Sequence, residues 1–199
     1  MKKAYRYFVF VAVLILCDQC IKFWVYHNMS LGNLGAIPLL GNWFKLNYTL
    51  NPGMAFGMQL GFRCGKLLLT LTRMAASVIM GRFLWKSAQR SDTDKLTLWG
   101  WAGILGGAIG NLVDSTFYGV WLENAPEASP MRWFHGQVID MFHLDLWEGH
   151  LPWRWPLVGG QHIMILPIFN LADVAILAGA VLALWRHRAD NLCKIQQAA

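Results

Sequence analysis

The last long apolar run of the chain opens with Pro167-Ile168-Phe169-Asn170-Leu171-Ala172-Asp173-Val174-Ala175-Ile176. The spacing of three residues predicts that Asn170 and Asp173 lie on one face of a helix whose other residues are apolar. Charged side chains at membrane depth are costly, so those that occur usually face a bundle interior or a cavity and have a function. Asn111 and Asp114 repeat this spacing at the end of an earlier apolar run. The two pairs therefore predict a buried polar site between helices.

The composition is that of a membrane protein. The chain has 199 residues, of which 56% are hydrophobic and only 14% are charged, and it contains eleven tryptophans. This is too apolar for an ordinary soluble domain, and we interpret residues 1–199 as one polytopic membrane domain. The formal net charge of +6 is divided among separate basic clusters. These clusters fit a membrane topology signal, and no basic stripe with interleaved aromatic residues indicates nucleic-acid binding.

The apolar runs predict four transmembrane helices, at about residues 7–26, 66–85, 96–114 and 166–185. Between them lie two longer polar segments. In residues 27–63, glycine, asparagine and proline separate short β-prone pieces, which predicts a few strands. Residues 116–162 contain four prolines and five of the eleven acidic residues, which predicts a long loop. The expected fold is an all-α membrane bundle of four helices with a small extracytoplasmic β-sheet and a long external loop.

The basic clusters predict the orientation. Lysine and arginine concentrate at the N-terminus, in residues 86–95 and in the C-terminal tail, which places both termini in the cytoplasm and the two longer segments outside. At a rise of ~1.5 Å per residue, Asp18, Asp114 and Asp173 lie roughly 21, 27 and 18 Å from the cytoplasmic ends of their helices, in a core ~30 Å thick. All three acids are therefore expected in the outer half of the membrane.

Two polar positions inside apolar runs have alternative interpretations. Asp18 and Lys22 are four residues apart, so they either form an ion pair along one helix face or position a substrate. Arg73 either extends to the interface or pairs with an acid in the bundle. Cys17 and Cys20 form a CxxC pattern within an apolar helix, where packing is the better interpretation, so neither a disulfide framework nor a zinc site is expected.

The chemistry that these residues favour is acid–base catalysis by two carboxyls. No serine or cysteine has a credible partner base, and no glycine-rich phosphate loop is present. Two neighbouring carboxyls share a proton, so that one activates water and the other protonates the carbonyl or the leaving amine. Asp173 is one natural member, and either Asp114 or Asp140 is the second. The alternative is that the acids only cap helices or brace the bundle.

Five motifs occur in order along the chain: Asp18-Gln-x-x-Lys22, Asn51-x-Gly-x-Ala-Phe-Gly57, Gly106-Gly-Ala-Ile-Gly-Asn111-Leu-Val-Asp114, Val138-Ile-Asp140-Met-Phe142 and Phe169-Asn170-Leu-Ala-Asp173. This set resembles bacterial lipoprotein signal peptidase, also called signal peptidase II. The resemblance implies a four-helix aspartic peptidase of the bacterial cytoplasmic membrane. Such an enzyme removes the signal peptide of prolipoproteins by cutting before a diacylglyceryl-modified cysteine.

The resemblance also implies roles for individual residues. Asp140 and Asp173 correspond to the catalytic pair, and residues 27–63 to a small β-sheet cradle at the membrane surface. Supporting or substrate-binding positions are Asp18, Lys22, Asn51, Gly53, Asn111, Asp114 and Asn170. No metal or other cofactor is implied. The expected partners are the lipid-modified prolipoprotein, membrane lipids and inhibitors of the globomycin type, and the expected state is a monomer.

The chain departs from the family pattern at two positions. Ser115 stands where the family usually has arginine after the aspartate of the third motif, and Val174 stands where it usually has serine. Arg73 and Arg132 are the candidates for the missing positive charge. The segment from Ser115 to Gln137 is also longer than the usual connection.

Two other functions fit parts of the sequence. An intramembrane metalloprotease would use His143, Asp145, Glu148 and His150, although these lie in a loop without the HExxH pattern. A proton-coupled transporter also places acids in helices, but four helices without an inverted repeat make a small pathway. Cleavage of a lipidated peptide that resists a chelator distinguishes the aspartic peptidase from both.

Overall fold

The computed structural model describes residues 2–52, 64–146, 148–150, 152–154, 160, 162–164 and 166–198. Within these residues, three spans are long and apolar enough to cross a membrane: Ala4–Asn28, Gly65–Gln89 and Lys95–Trp121. The helices are α1 (Lys2–Asn28), α2 (Gly65–Gln89), α3 (Lys95–Val113), a short α4 (Gly119–Trp121) and α5 (Leu171–Ala198).

The bounds of two helices differ from the sequence prediction. The third helix was expected to end near residue 114, but a π-helical turn (Asp114–Tyr118) and α4 continue it to Trp121. The last helix was expected to begin near residue 166, but it begins at Leu171. The preceding segment is held extended because Phe169 pairs with Phe142 of a β-strand. The helix also continues past residue 185 to Ala198.

The central helix is α3, and two of its glycines allow close contact with α5. A Cβ atom at Gly103 would lie 3.1 Å from the carbonyl oxygen of Ala175, and one at Gly107 would overlap the carbonyl oxygen of Ala172. At Gly107 only glycine permits the two backbones to approach this closely, as expected for small residues at membrane helix interfaces. This contact places the C-terminal end of α3 beside the N-terminal end of α5.

The second pair of spaced glycines in α3 faces a different helix. A Cβ at Gly106 would lie 3.0 Å from Cδ2 of Leu14, and one at Gly110 would lie 2.9 Å from Oδ2 of Asp18, both on α1. The two GxxxG spacings therefore serve two interfaces. Together they bring the polar ends of α1, α3 and α5 to one end of the bundle.

The outer faces of the long helices expose apolar side chains, as expected of surfaces in contact with lipid. On α5 the exposed positions recur every three or four residues, at Val174, Leu177, Val181 and Leu184. Similar exposed side chains occur on α1 and α2: Val9, Val13, Leu16, Leu68, Leu71, Val78, Ile79 and Phe83.

At the end of the bundle away from the polar residues, one acidic side chain connects α3 to α5. Asp94 precedes α3, and its Oδ2 accepts a hydrogen bond from the Thr97 backbone N–H at 3.0 Å. Its Oδ1 lies 3.0 Å from Nη2 of Arg186 on α5. The acid thus satisfies the first turn of one helix and ties it to the last.

A three-stranded antiparallel sheet lies at the other end, in the order β1 (Ile37–Leu40), β2 (Phe44–Asn51) and β3 (Val138–Leu144). The sheet was expected within residues 27–63 alone, whereas β3 lies in the second of the two long segments, residues 116–162. The run around Asp140 is almost continuously apolar and buried, and this pattern suits a buried strand as well as a helix end. A second antiparallel sheet consists of two strands, β4 (Glu148–His150) and β5 (His162–Met164).

The long segment between Ser115 and Gln137 is held against the bundle. The Thr70 hydroxyl of α2 donates to the carbonyl oxygen of Phe134 at 2.9 Å. Asn124 and Gln137 exchange three hydrogen bonds between their side chains and backbones. The segment therefore brings the chain back from α4 to β3 with a defined path.

Candidate active site

Asp140 lies in the middle of β3, where the sheet orients its carboxylate towards the end of the helix bundle. Thr49 of β2 is its cross-strand partner, and Asn51 pairs with Val138. Asn51 is thus the diagonal neighbour of Asp140 on the same face of the sheet. Its Nδ2 donates to Oδ2 of Asp140 at 2.9 Å.

Asp173 is the third residue of α5, and Asn170 immediately precedes the helix. Oδ1 of Asn170 accepts a hydrogen bond from the Asp173 N–H at 3.0 Å, and Oδ2 of Asp173 accepts one from the Asn170 N–H at 3.2 Å. This reciprocal arrangement is a capping box, in which two otherwise unpaired N–H groups are satisfied. The prediction that both residues lie on a helix face is corrected: their spacing is that of a helix start.

Asn170 also contacts the strand that carries Asp140. The backbone of Phe169 exchanges hydrogen bonds with Phe142 of β3 in both directions, at 2.8 and 3.0 Å. The Asn170 side chain then reaches Asp140, with Nδ2 donating to Oδ1 at 2.6 Å. One fully buried carboxamide therefore connects the carboxylate on the sheet to the capped end of α5.

Asn111, near the end of α3, makes a second connection. Its Nδ2 donates to Oδ1 of Asp173 at 2.8 Å. Its Oδ1 accepts from Nδ2 of Asn170 and from Nζ of Lys22, both at 3.0 Å. An ammonium group can only donate, so it fixes which end of the Asn111 carboxamide faces Asp173.

A cluster of charged residues lies beneath these asparagines. Nζ of Lys22 is 2.7 Å from Oδ2 of Asp18 and 2.6 Å from Oδ2 of Asp114, and all three side chains are fully buried. Gln19 donates to Asp114 at 2.9 Å and accepts from the Tyr118 hydroxyl at 2.8 Å. The three ionisable side chains have no exposed surface, so they brace the helices from inside.

Asp18 also satisfies the start of the last helix. Its Oδ1 accepts a hydrogen bond from the backbone N–H of Ala172 at 3.0 Å. A carboxylate at a helix N-terminus is stabilised by the unpaired N–H groups there. Of the two interpretations of Asp18 and Lys22, the structure contains the ion pair, and Lys22 also pairs with Asp114.

Basic residues of α2 lie on the other side of the site. Arg73 is partly buried, and its guanidinium interacts electrostatically with Asp173. Lys66 donates from Nζ to the carbonyl oxygen of Pro52 at 2.5 Å, and Nζ lies 3.5 Å from Oγ of Ser115. Arg132 is exposed and pairs with Glu123. Lys66, which the sequence analysis did not select, is thus the amine beside Ser115.

The environment of Asp140 favours its protonated form. Burial raises the pKa of its carboxyl to about 7, and the nearby charge of Asp173 acts in the same direction. The hydrogen bonds from Asn51 and Asn170 oppose this shift because they stabilise the ionised form. Asp140 can therefore hold a proton near neutral pH, and it lies close enough to the partly exposed Asp173 for their charges to interact.

The structure brings together eight of the nine residues that the sequence analysis selected; the ninth, Gly53, lies outside the described residues. The residues that sequence reasoning missed are Gln19, Tyr118 and Lys66. Gln19 stood inside a quoted motif, and Lys66 had a signal of its own: a lysine in the first turn of a helix opposes the helix dipole and needs a local partner.

The described residues contain no group of three or more His, Cys, Asp or Glu side chains placed to hold a metal ion. His143 of β3 is buried. It lies on the same face of the strand as Ile139 and Met141, which belong to an apolar cluster with Val25 and Tyr48. Asp140 points to the opposite face.

The comparisons with known proteins agree with one another. The chain matches the family model described as signal peptidase (SPase) II over residues 10–188. It is 52% identical over 196 residues to a lipoprotein signal peptidase of Amoebophilus asiaticus (strain 5a2), covering 98% of this chain and 83% of that protein. It is 36% identical over 184 residues to a lipoprotein signal peptidase of Porphyromonas gingivalis, covering 87% of this chain and 79% of that protein.

A solved structure shares the fold. It is described as a bacterial membrane enzyme determined by the in meso method at 2.3 Å resolution, and it superimposes with a TM-score of 0.61 at 17% sequence identity. The superposition covers 94% of this chain and 89% of that one.

Proposed function

Because the chain belongs to the signal peptidase II family, we propose that Asp140 and Asp173 are the catalytic pair with which it removes signal peptides from prolipoproteins. The family makes the chain an aspartic peptidase and a multi-pass membrane protein. The observation that carries the residue assignment is the placement of Asn170. Its side chain donates to Asp140 at 2.6 Å and accepts from the backbone of Asp173 at 3.0 Å.

The two carboxyls have different environments, which supports different roles. Asp140 is almost completely buried, and its pKa of about 7 leaves it able to carry a proton at neutral pH. Asp173 accepts hydrogen bonds from the Asn111 side chain and the Asn170 backbone, which stabilise its negative charge. Asp173 is therefore the base that activates water, and Asp140 is the acid.

The reaction then follows in two steps. Asp173 takes a proton from the attacking water as its oxygen bonds to the scissile carbonyl carbon, and Asp140 gives its proton to the carbonyl oxygen. In the second step the C–N bond breaks, Asp173 returns its proton to the leaving amine, and Asp140 recovers a proton from the tetrahedral hydroxyl. Both carboxyls end in their starting forms, and the observed pH dependence belongs to the pair.

The remaining selected residues support this pair from different distances. Asn51, Asn111 and Asn170 contact the two acids directly. Asp18, Lys22 and Asp114 have no exposed surface, so we assign them to bracing the site and not to substrate contact. For Gly53 we propose the supporting or substrate-binding role that the family motif implies.

Membrane placement follows the same proposal. We assign α5 as a fourth membrane span, because it packs along α3 and exposes an apolar stripe at Val174, Leu177 and Val181. Residues 1–199 then form one domain in the bacterial cytoplasmic membrane, with both termini cytoplasmic. The catalytic pair lies at the outer end, where the sheet meets the bundle, within reach of a substrate anchored by acyl chains.

The proposed partners are the diacylglyceryl-modified prolipoprotein, cut before its lipidated cysteine, and the surrounding lipids. Inhibitors of the globomycin type should compete at the same pair. We propose that the enzyme works as a monomer, because both acids and all three asparagines come from one chain.

The proposal is tested with purified protein in lipid and a lipidated prolipoprotein peptide. Asp140→Asn and Asp173→Asn should each lower kcat by more than about a thousandfold, as expected when a member of a catalytic unit is removed. Asp92→Asn is the matched control, because Asp92 is exposed and forms its ion pair with the nearby Arg90, far from the site. Normal cleavage by either site variant would refute the dyad.

The same assay separates the alternatives. A chelator should leave cleavage unchanged for a carboxyl pair and abolish it for a metalloprotease. The comparisons give no support for a proton-coupled transporter.

A further inference from the structure

Lys66 occupies an electrostatically unfavourable position unless it has acceptors nearby. It is the second residue of α2, and the first turn of this helix contains no acidic residue. The unpaired N–H groups at a helix start carry partial positive charge, so an ammonium there is disfavoured. Its side chain is partly buried and turns towards two oxygen acceptors.

The first acceptor connects Lys66 to the site. Nζ donates to the carbonyl oxygen of Pro52 at 2.5 Å. Pro52 follows Asn51, the last residue of β2, whose Nδ2 donates to Oδ2 of Asp140 at 2.9 Å. The ammonium thus holds the backbone one residue beyond the asparagine that contacts the acid.

The second acceptor lies on another element. Nζ of Lys66 is 3.5 Å from Oγ of Ser115, a fully buried residue in the π-helical turn that follows α3. Ser115 is adjacent to Asp114, which attracts the ammonium electrostatically, whereas Arg73 of α2 repels it. Lys66 therefore lies where the end of β2, the start of α2 and the end of α3 meet.

We propose that Lys66 is a positioning residue for peptide cleavage: its ammonium fixes the Pro52 carbonyl and thereby holds the Asn51 amide against Asp140. This inference rests on the proposed function, because it needs Asp140 as the acid. The hydrogen bonds of Lys66 go to Pro52 and Ser115 and not to either catalytic carboxylate, so it acts through Asn51. Its loss should lower kcat more than it raises KM.

A pH profile distinguishes this role from simple support of the fold. The Asn51 hydrogen bond stabilises the ionised form of Asp140, as do Asn170 and the charge of Lys22, while burial and Asp173 oppose it. When the Asn51 amide is released, Asp140 keeps its proton to higher pH. The alkaline limb of kcat/KM should therefore move upward in pH. A general loss of folded protein lowers the whole profile without moving the limb.

The test compares Lys66→Met with Lys66→Arg and with Lys86→Met. Lys86 is exposed at the far end of the same helix, so it controls for the loss of a lysine from α2. We expect Lys66→Met to lower kcat about tenfold to a hundredfold and to shift the alkaline limb upward. Lys66→Arg keeps a charged donor, so its kcat should stay within about fivefold of that of the parent protein. The kcat of Lys86→Met should equal that of the parent protein.

Lys66→Gln provides a second variant if Lys66→Met does not purify as folded protein. Its side chain is polar but one bond shorter, so it no longer reaches Pro52, and the same shift of the alkaline limb is expected. The proposal is overturned if Lys66→Met and Lys66→Gln match Lys86→Met, if their activity falls with the alkaline limb unmoved, or if Lys66→Arg loses as much activity as Lys66→Met. Asp140→Asn and Asp173→Asn, assayed in parallel, report separately on the catalytic pair.

Discussion

Nζ of Lys22 lies 3.0 Å from Oδ1 of Asn111, so a fully buried charge on α1 sets the orientation of a carboxamide on α3. With its oxygen held by this ammonium and by Asn170, Asn111 must present Nδ2 to Asp173. The buried ion cluster is therefore connected to a catalytic candidate through a single amide. The chemistry at the site depends on charges that the substrate does not touch.

The first prediction concerns Lys22. Lys22→Met leaves Asp18 and Asp114 buried without their shared cation, and such uncompensated charge typically costs about 3–5 kcal/mol of stability. Lys45→Met is the matched control, because Lys45 and Asp145 form a partly exposed pair at 2.8 Å worth at most about 1 kcal/mol. Thermal unfolding in detergent should show a large decrease for the first variant and a small one for the second. Equal midpoints would show that the buried cluster contributes no more than the surface pair.

The second prediction concerns the pH dependence of cleavage. Because the pKa of Asp140 is raised to about 7, kcat/KM should fall as the pH rises through about 7 and the acid loses its proton. Asn51→Ala removes a donor that lowers this pKa, so its alkaline limb should lie at higher pH than that of the parent protein. Asn28→Ala, which removes a donor to Trp24 at the exposed end of α1, should leave the limb in place. An unchanged limb in Asn51→Ala would contradict the role of this hydrogen bond.

The third prediction concerns the glycines of α3. Gly107→Ala should destabilise the protein by roughly 1–3 kcal/mol, because its Cβ would overlap the carbonyl oxygen of Ala172 and force α3 and α5 apart. Gly81→Ala is the control: its Cβ would meet only Cδ2 of Leu105, at 3.9 Å, and alanine favours the helix. Unfolding midpoints and cleavage rates should both fall for the first variant and not for the second. If Gly107→Ala keeps the unfolding midpoint and cleavage rate of the parent protein, the close contact between α3 and α5 contributes nothing to stability or activity.

Local patterns predicted the membrane class and the polar residues of the site. Long apolar runs and few charges are sufficient to indicate spanning helices, and an acid inside such a run is expensive enough to stand out. Asp173 and Asp114 were selected for this reason. Asp140 remained one of two alternatives until the family motifs were considered, because an acid in a short apolar run has no characteristic period.

The local geometry of the motifs was less predictable. The spacing of Asn170 and Asp173 fits both one face of a helix and a capping box, and the difference depends on where the helix begins. That boundary is set by Phe169, which pairs with β3 and keeps the preceding segment extended. The third strand of the sheet was missed for a related reason, since its pairing partner lies about ninety residues earlier in the chain.

Composition, hydropathy and the order of five short motifs identified a multi-pass membrane peptidase, because these properties depend on residue type and on neighbours within a few positions. The partners of each polar side chain depended on tertiary structure. Asn170 joins two acids from separate elements, Lys22 orients Asn111 across a helix interface, and Lys66 holds the strand end beside Asp140. Hydrogen bonds have a short range and a strict direction, so these relationships exist only after the helices and the sheet have packed together.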